Sequence, residues 1–439
     1  MENSVKSESN NEPTYEAAIQ SLFNLQKFGI KFGLSKTENL LKAFGNPHLG
    51  QNYIHIAGTN GKGSVATFLG SILREAGFKV GMYVSPHLVR FTERFRINDE
   101  EISREKAAQL IDELQAAFNP DEPPTFFEAV TAMAILYFAR EKTDVAIMEV
   151  GMGGRLDATN VITPLVTGIT NISMEHEEYL GNRLSHIAAE KAGVIKKGVD
   201  VVTSVTQPRI IEQLKAIAEE RGAPLWQVGK DMKYRSTASG LHYFGQGGAI
   251  NGLQSGLRGI HQARNAALAL GMIERIKTKG FPVSTDQIRE GLRKATWAGR
   301  MQVIKGNPTI VLDGAHNPAA VKALARSIEA CFSYERMILV IGIMADKDIT
   351  GLLRAIVPMS DTVLYTRPVY SRAADPHVLK EKAPPSNATG EVIPSLSEAL
   401  ARAEEIASPR DLIVVCGSLF TVGEALTYFD RVRYKPDDQ

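Results

Sequence analysis

The chain has 439 residues, long enough for two ordinary cores, and its 44% apolar and 23% charged residues are those of a soluble globular protein. Fifty Lys and Arg against forty-nine Asp and Glu leave a net charge of +1, which removes any whole-chain electrostatic case for binding nucleic acid or a membrane surface. The two cysteines, Cys331 and Cys416, have no metal or redox spacing and sit among apolar residues, so both are expected to be buried, reduced thiols of a cytoplasmic protein.

The opening stretch, MENSVKSESNNEP, is polar, lacks the apolar core of a signal peptide and reads as a short disordered lead. Nowhere is there a run of about 18 apolar residues, so no membrane span is expected. Short apolar runs rich in β-branched residues then alternate with helical patterns. Strands are expected at 54–57, 79–84, 144–150, 165–170 and 199–204, with helices at 63–75, 127–139 and 208–220. Strands apolar on both faces and spaced by helices predict a parallel sheet covered on both sides. Residues 234–257 are Gly-rich with short alternating segments, a β-meander or an insertion. After Trp297-Ala-Gly-Arg300 the alternation restarts, with strands at 309–312, 337–343, 362–365 and 412–416 and a helix from Pro318. A boundary near 296–304 gives two units, 1–298 and 299–439.

Several strand-to-helix junctions carry chemistry. In HIAGTNGKGS a strand leads into a Gly-rich turn and then a helix. Such a turn presents backbone N–H groups and the positive end of the helix dipole to an anion. Lys62 adds a charge, and Ser64 a hydroxyl suited to a phosphate-bound Mg²⁺. The common phosphate loop has Ser or Thr directly after the lysine, whereas here Gly63 intervenes. The alternative is a glycine turn used only for packing. In EVGMGGRLDATN, Glu149 ends a strand, the edge where α/β proteins place ligands; it is either a Mg²⁺ ligand or a cap or salt-bridge partner. His176 follows another strand, and Lys191 falls near the end of a short helix at 184–192; alone, either would be a solvated surface residue. VLDGAHNP repeats the strand-end pattern with Asp313 and His316, before a helix opened by Pro318. From the residues alone this is an enzyme using ATP and Mg²⁺, with its site between two α/β domains.

Together, GTNGKGS, SPHLVRFTERFRIN, FFEAVTAMA, EVGMGGRLDATN, EHEEYLG, IAAEKAGVIK, HQARNAALAL, AGRMQ, LDGAHNP and GSLFTVGE, in this order, resemble the folylpolyglutamate synthase/dihydrofolate synthase family of the Mur ligase superfamily. The resemblance implies an α/β fold: a P-loop NTPase-like N-terminal domain with a mostly parallel sheet, plus a smaller Rossmann-like α/β C-terminal domain. It implies ATP as co-substrate, Mg²⁺ as cofactor, and ligation of L-glutamate to a folate or to dihydropteroate through an acyl phosphate. GGRLDATN is closer to the bifunctional members. A polyglutamylation-only enzyme, a cell-wall Mur ligase and a nucleotide-dependent switch are the alternatives.

Residue by residue, the resemblance assigns ATP to Gly58, Thr59, Asn60, Gly61, Lys62, Gly63, Ser64, Asn265, Arg300 and Asp313. It assigns metal to Ser64, Ser85, Glu149 and His176, and catalysis to Lys62, His176 and Lys191, with Lys191 as N6-carboxylysine. Folate is assigned to Thr125, Phe126, Phe127, Glu128, Leu156, Asp157 and Ala158 with the loop 85–98, and glutamate to His316 and Ser418. Small-molecule partners, no nucleic acid, no membrane and a monomer are implied. Two departures stand out: the family's GL-x-R reads Gly33-Leu34-Ser35-Lys36, and Glu175 replaces an Asp before the His. Lys cannot repeat a bidentate Arg contact.

Overall fold

In the computed structural model, which describes residues 14–29 and 33–437, the alternation of strand and helix builds two separate sheets. The polar lead at 1–13 lies outside the described residues. The first sheet uses β1 (Tyr53–Ala57), β2 (Val80–Tyr83), β3 (Phe95–Ile97), β4 (Glu100–Glu101), β5 (Val145–Glu149), β6 (Val166–Ile169), β7 (Asp200–Thr203) and β8 (Leu225–Gln227). Its order is β4-β3-β2-β5-β1-β6-β7-β8, parallel from β2 to β8 and antiparallel at the β2-β3-β4 edge. A three-stranded antiparallel meander follows, β9 (Lys233–Thr237), β10 (Gly240–Gly245) and β11 (Gly248–Leu253), so the Gly-rich stretch is a meander. The second sheet uses β12 (Gln302–Gly306), β13 (Thr309–Leu312), β14 (Met337–Ile341), β15 (Thr362–Arg367), β16 (Thr389–Ser395) and β17 (Leu412–Cys416). Its order is β12-β13-β17-β14-β15-β16, with β12 alone antiparallel to its neighbour.

The uniformly apolar strands feed a core on each face, because successive side chains point to opposite sides. In β1, Ile54 and Ile56 pack with the helices Lys62–Glu75 and Gln262–Lys277, while Tyr53 faces the helices Tyr15–Phe23 and Phe126–Arg140. In β17, Leu412, Val414 and Cys416 enter one core and Ile413 and Val415 the other. Gly291, in the helix Thr285–Lys294, lets that helix lie directly on Lys62–Glu75: a Cβ there would stand 2.5 Å from Ile72 Cα. The last helix on the first sheet ends at Lys294, and the second sheet begins at Gln302.

One expectation fails. Cys416 is buried, but Cys331 is exposed at the end of the helix Pro318–Cys331, because Phe332 takes the inward place against the core. The strands β3, β4, β8, β12 and β16, all at or near sheet edges, lie outside the expected set. Among the described residues, no helix is long and apolar enough to cross a membrane.

Candidate active site at the junction of the two sheets

A cleft of about 690 Å³ opens between the carboxyl ends of the two sheets. Ser85 and Asn171 enter it from just after β2 and β6, Glu149 from the last position of β5, and Asp313, Lys347 and Ser418 from the loops after β13, β14 and β17. This is where parallel sheets deliver ligand-binding loops.

Between β1 and the helix Lys62–Glu75, Gly58 (φ +135°) and Gly61 (φ +88°) take a backbone that other residues rarely adopt. A Cβ on Gly58 would stand 1.9 Å from Thr170 Oγ1. Asn171 receives the Thr59 N–H on its carbonyl (2.8 Å) and the Asn60 N–H on Oδ1 (3.1 Å). That leaves the N–H groups of Lys62, Gly63 and Ser64, the first turn of the helix, without an intrahelical acceptor and aimed at the cleft end of the dipole. Lys62 Nζ folds back to donate to the carbonyls of Gly58 (3.1 Å) and Thr59 (3.2 Å). Ser64 Oγ accepts from Gln262 Nε2 (3.3 Å), and Gln262 Oε1 in turn accepts from Asn265 Nδ2 (2.9 Å).

Glu149 is 6% exposed, and the Ser85 N–H reaches its carboxylate only at 3.4 Å. Burial raises its pKa, opposed by the charges of Lys62, Arg300 and Arg94. Across the loop, Lys191 is 2% exposed, and its Nζ donates to Glu175 Oε1 (2.6 Å) and to the Gly58 carbonyl (3.0 Å). Burial alone would raise the Glu175 carboxyl, but Lys191 and Lys62 outweigh it and hold it at about 2, so the pair is ionised. Burial also lowers the Lys191 pKa, against the pull of Glu175 and with the push of Lys62. His176 sits in a left-handed turn (φ +47°) with its ring exposed to the cleft. Desolvation within the cleft lowers its pKa to about 4, with Glu175 opposing and Lys347, Lys191 and Lys62 assisting, which favours the neutral imidazole.

From the second sheet, His316 donates from Nδ1 to the Gly314 carbonyl (2.8 Å), and burial brings it to about 4, leaving a neutral ring with Nε2 free to accept. Arg300 lies against Gly314, where a Cβ would stand 2.4 Å from its Nη1. Asp313 and Ser418 line the cleft, yet their side chains are engaged by backbone: Asp313 accepts from Met301 and Ala315 (2.9 Å each), and Ser418 caps the helix Leu419–Phe429 through Thr421 N (2.9 Å).

The residues expected to meet folate form a shelf beside the cleft, joined to it at Gly151. A Cβ on Gly151 would stand 2.3 Å from Phe127 Cζ, and Asp157 Oδ2 accepts the Gly151 N–H (3.1 Å). Phe126, Phe127 and Leu156 remain partly exposed, next to buried Ala158. The polar members are occupied. Thr125 and Glu128 close a capping box on the helix Phe126–Arg140, and Asp157 also accepts from Met152 N (2.9 Å) and Thr159 N (3.0 Å). Arg94, from the loop 85–98, is buried beneath the shelf with its guanidinium 5.4 Å from the Phe126 ring centre and Nε on His87 Nδ1 (2.8 Å). Lys36, in place of the family's Arg, donates to the Pro123 carbonyl (2.8 Å) just before that helix.

Asn171, Gln262, Asn317 and Lys347 are cleft or cleft-side residues that sequence reasoning passed over. For Asn171 and Lys347 the strand-end rule, applied after β6 and β14, carries the signal. Among the described residues no cluster of three or more His, Cys, Asp or Glu could cage a metal ion. Ser64 and the poorly partnered carboxylate of Glu149 instead fit a cation that takes most of its oxygen ligands from phosphate and water.

The Mur ligase middle domain model matches residues 56–273, and the Mur ligase glutamate ligase domain model matches residues 299–419. A probable bifunctional folylpolyglutamate synthase/dihydropteroate synthase of Halobacterium salinarum is 38% identical over 439 residues, 96% of this chain. The match takes in 52% of that protein, so the chain spans about half the length of this relative. A dihydrofolate synthase/folylpolyglutamate synthase of Bacillus subtilis is 32% identical over 431 residues, 93% of this chain and 98% of that one. The solved structure of a bifunctional folylpolyglutamate synthase/dihydrofolate synthase from Yersinia pestis, complexed with AMPPNP and Mn ion, superposes with a TM-score of 0.86. It is 31% identical and covers 94% of this chain and 98% of that chain.

Proposed function

Because this chain belongs to the Mur ligases, in the folylpolyglutamate synthase/dihydrofolate synthase family, we propose that it joins L-glutamate to folates and to dihydropteroate at the expense of ATP. One observation carries the reading: the cleft gathers the free N–H groups of a helix N-terminus, the underpartnered Glu149 and Glu175, which is paired with buried Lys191 behind the loop, and faces them with Arg300 and His316 of the second unit. A carboxylate is a poor electrophile. Transfer of the γ-phosphoryl of ATP to it gives ADP and an acyl phosphate, whose carbonyl the amino group of glutamate attacks, releasing phosphate and forming the amide.

In this reading Gly58 to Ser64 cradle the phosphates, Lys62 leaves its loop carbonyls for them, and Asn265, Arg300 and Asp313 complete the nucleotide site. Ser64 would hold a Mg²⁺ with Glu149 close by, and Ser85, Glu149 and His176 would hold a second ion near the reacting carboxylate. The bound cation supplies neutralisation of phosphate charge. Phe126, Phe127 and Leu156 offer the pterin apolar faces, with Thr125, Glu128, Asp157 and Ala158 shaping the shelf, and His316 and Ser418 orient the glutamate. Lys191 is proposed to act as its N-carboxylated form, supported by burial of the amine, which lowers its pKa and so eases loss of the proton before reaction with carbon dioxide. Residues 1–298 and 299–439 are the two working units, supported by the gap between Lys294 and Gln302. The net charge of +1 supports small-molecule rather than nucleic-acid or membrane partners, and the chain is read as a cytoplasmic monomer.

The test is incorporation of labelled glutamate with ATP and Mg²⁺, run separately with dihydropteroate and with a reduced folate. Incorporation with both acceptors is expected. Incorporation with the folate alone narrows the activity to polyglutamylation, and phosphate release that needs no glutamate overturns the ligase reading in favour of a switch.

A further inference from the structure

The phosphate loop is gripped from both sides by asparagines. Asn171, after β6, takes the Asn60 N–H on Oδ1 (3.1 Å) and returns a bond from Nδ2 to the Asn60 carbonyl (2.9 Å), fixing the loop backbone to the first sheet. The Asn60 side chain reaches the other way. Its Nδ2 donates to Asn317 Oδ1 (3.2 Å), and Asn317 Nδ2 donates to Asn60 Oδ1 (2.8 Å). Asn317 is 6% exposed and opens the helix Pro318–Cys331 on the second sheet, which it caps through Ala320 N (2.9 Å).

A reciprocal amide pair satisfies a donor and an acceptor on both partners at once and forms only when the two amides are coplanar and close. These two residues are 257 positions apart and lie in loops that follow strands of different sheets. Capping alone does not explain an asparagine at 317, since Ser or Asp would cap the helix as well. What Asn adds is a donor long enough to reach Asn60.

We propose that Asn317 is a positioning residue: its amide pair with Asn60 latches the second unit onto the phosphate loop, so that loop geometry and closure of the cleft over the incoming amine are set together. The proposal rests on the reading of the cleft as a nucleotide-dependent ligase site. Asn171 keeps the loop shaped when the latch is open, so nucleotide binding to the open protein does not depend on it. Two neutral hydrogen bonds are lost with the latch, which shifts the closed-to-open ratio on the order of tenfold.

Asn317→Ser keeps the cap and is too short to reach Asn60. The variant is expected to melt with the parent and to bind ADP within about twofold of it, while kcat/KM for glutamate falls on the order of tenfold. Small-angle scattering with a non-hydrolysable ATP analogue should show a larger radius of gyration for the variant than for the parent. In a double-mutant cycle with Asn60→Ala, adding Asn317→Ser should cost nothing further in kcat/KM for glutamate. Multiplicative losses in that cycle, or equal closure and glutamate kcat/KM in Asn317→Ser and parent, overturn the latch. If the parent incorporates no glutamate, the ligase reading fails instead, and the scattering comparison still decides the latch.

Discussion

An ammonium group that is 2% exposed and divides its hydrogen bonds between a carboxylate and the Gly58 carbonyl joins loop shape to charge balance. Removing it leaves Glu175 buried without its hydrogen-bonded partner and Gly58 with Lys62 alone as donor, which is costly in a low-dielectric setting. Lys191→Ala should therefore abolish glutamate ligation while nucleotide binding stays measurable by titration, and added short carboxylates should partly restore the rate. Full activity in the variant would sink the N-carboxylated lysine. His55 makes a different kind of residue-scale statement. It lies wholly buried in β1 with Nε2 on Thr159 Oγ1 (2.8 Å), and burial, helped by Lys196, lowers it from 6.5 to about 3. The unfolded chain thus binds a proton below pH 6.5 that the folded chain refuses, so stability falls as pH drops from 6.5 toward 3. The slope from this one group is at most about 1.4 kcal/mol per pH unit. Denaturant midpoints across that window should show His55→Gln with a shallower fall than the parent; identical slopes would mean that other groups set the acid limit.

The helix Phe126–Arg140 shows how an element carries a site without lending it polar atoms. Thr125 accepts from Glu128 N (3.3 Å) and Glu128 returns a bond to Thr125 N (2.7 Å), so this capping box aims Phe126 and Phe127 at the shelf. Thr125→Ala should lose about 0.5–2 kcal/mol of stability and raise KM for the folate, and Thr125→Ser should recover both. A serine variant as impaired as alanine would assign Thr125 to substrate contact instead. The loops that line the cleft were legible at this scale. Glycines at Gly58 and Gly61, and polar residues at the end of β5 and just past β13 and β17, announce loops at strand ends before any coordinate is seen. Edge strands were not: β12 is partly exposed and interrupted by polar residues, and β16 carries Pro394, so neither has the two-faced apolar run that marks β14 or β17. Nor could sequence tell that Asp157, Asp313 and Ser418 turn their polar atoms to the backbone, since that depends on which N–H groups the folded loops leave open.

At the scale of the whole molecule, the two sheets are joined by contacts between residues hundreds of positions apart, and no local pattern encodes such pairs. The amide pair at the cleft is one such joint. A second lies beyond the helix Leu419–Phe429, where the chain leaves the second sheet and crosses back to the first. Tyr434 is buried on the way, with its hydroxyl accepting from Gln302 Nε2 (3.1 Å). Asp437 then accepts from Phe91 N (2.7 Å), Tyr15 OH (3.1 Å) and Arg104 Nη2 (3.3 Å). Phe91 belongs to the loop proposed to meet the folate, and its ring lies 6.4 Å from that of Phe126 and 5.3 Å from that of Phe95. One carboxylate of the second unit therefore anchors Phe91, whose ring packs against Phe126 of the shelf proposed to meet the folate. Hydrogen bonds to a charged group contribute about 1.5–3 kcal/mol, enough to matter for a loop and too little to unfold the protein. Asp437→Ala should accordingly raise KM for the folate several-fold and leave KM for ATP within about twofold, while Asp437→Asn, which keeps an acceptor for Phe91 N, should fall between. Steady-state kinetics with each substrate varied in turn separates the outcomes. A parallel rise in both KM values would mean that the crossing segment supports the whole cleft, and unchanged kinetics would mean that the shelf holds its shape without it.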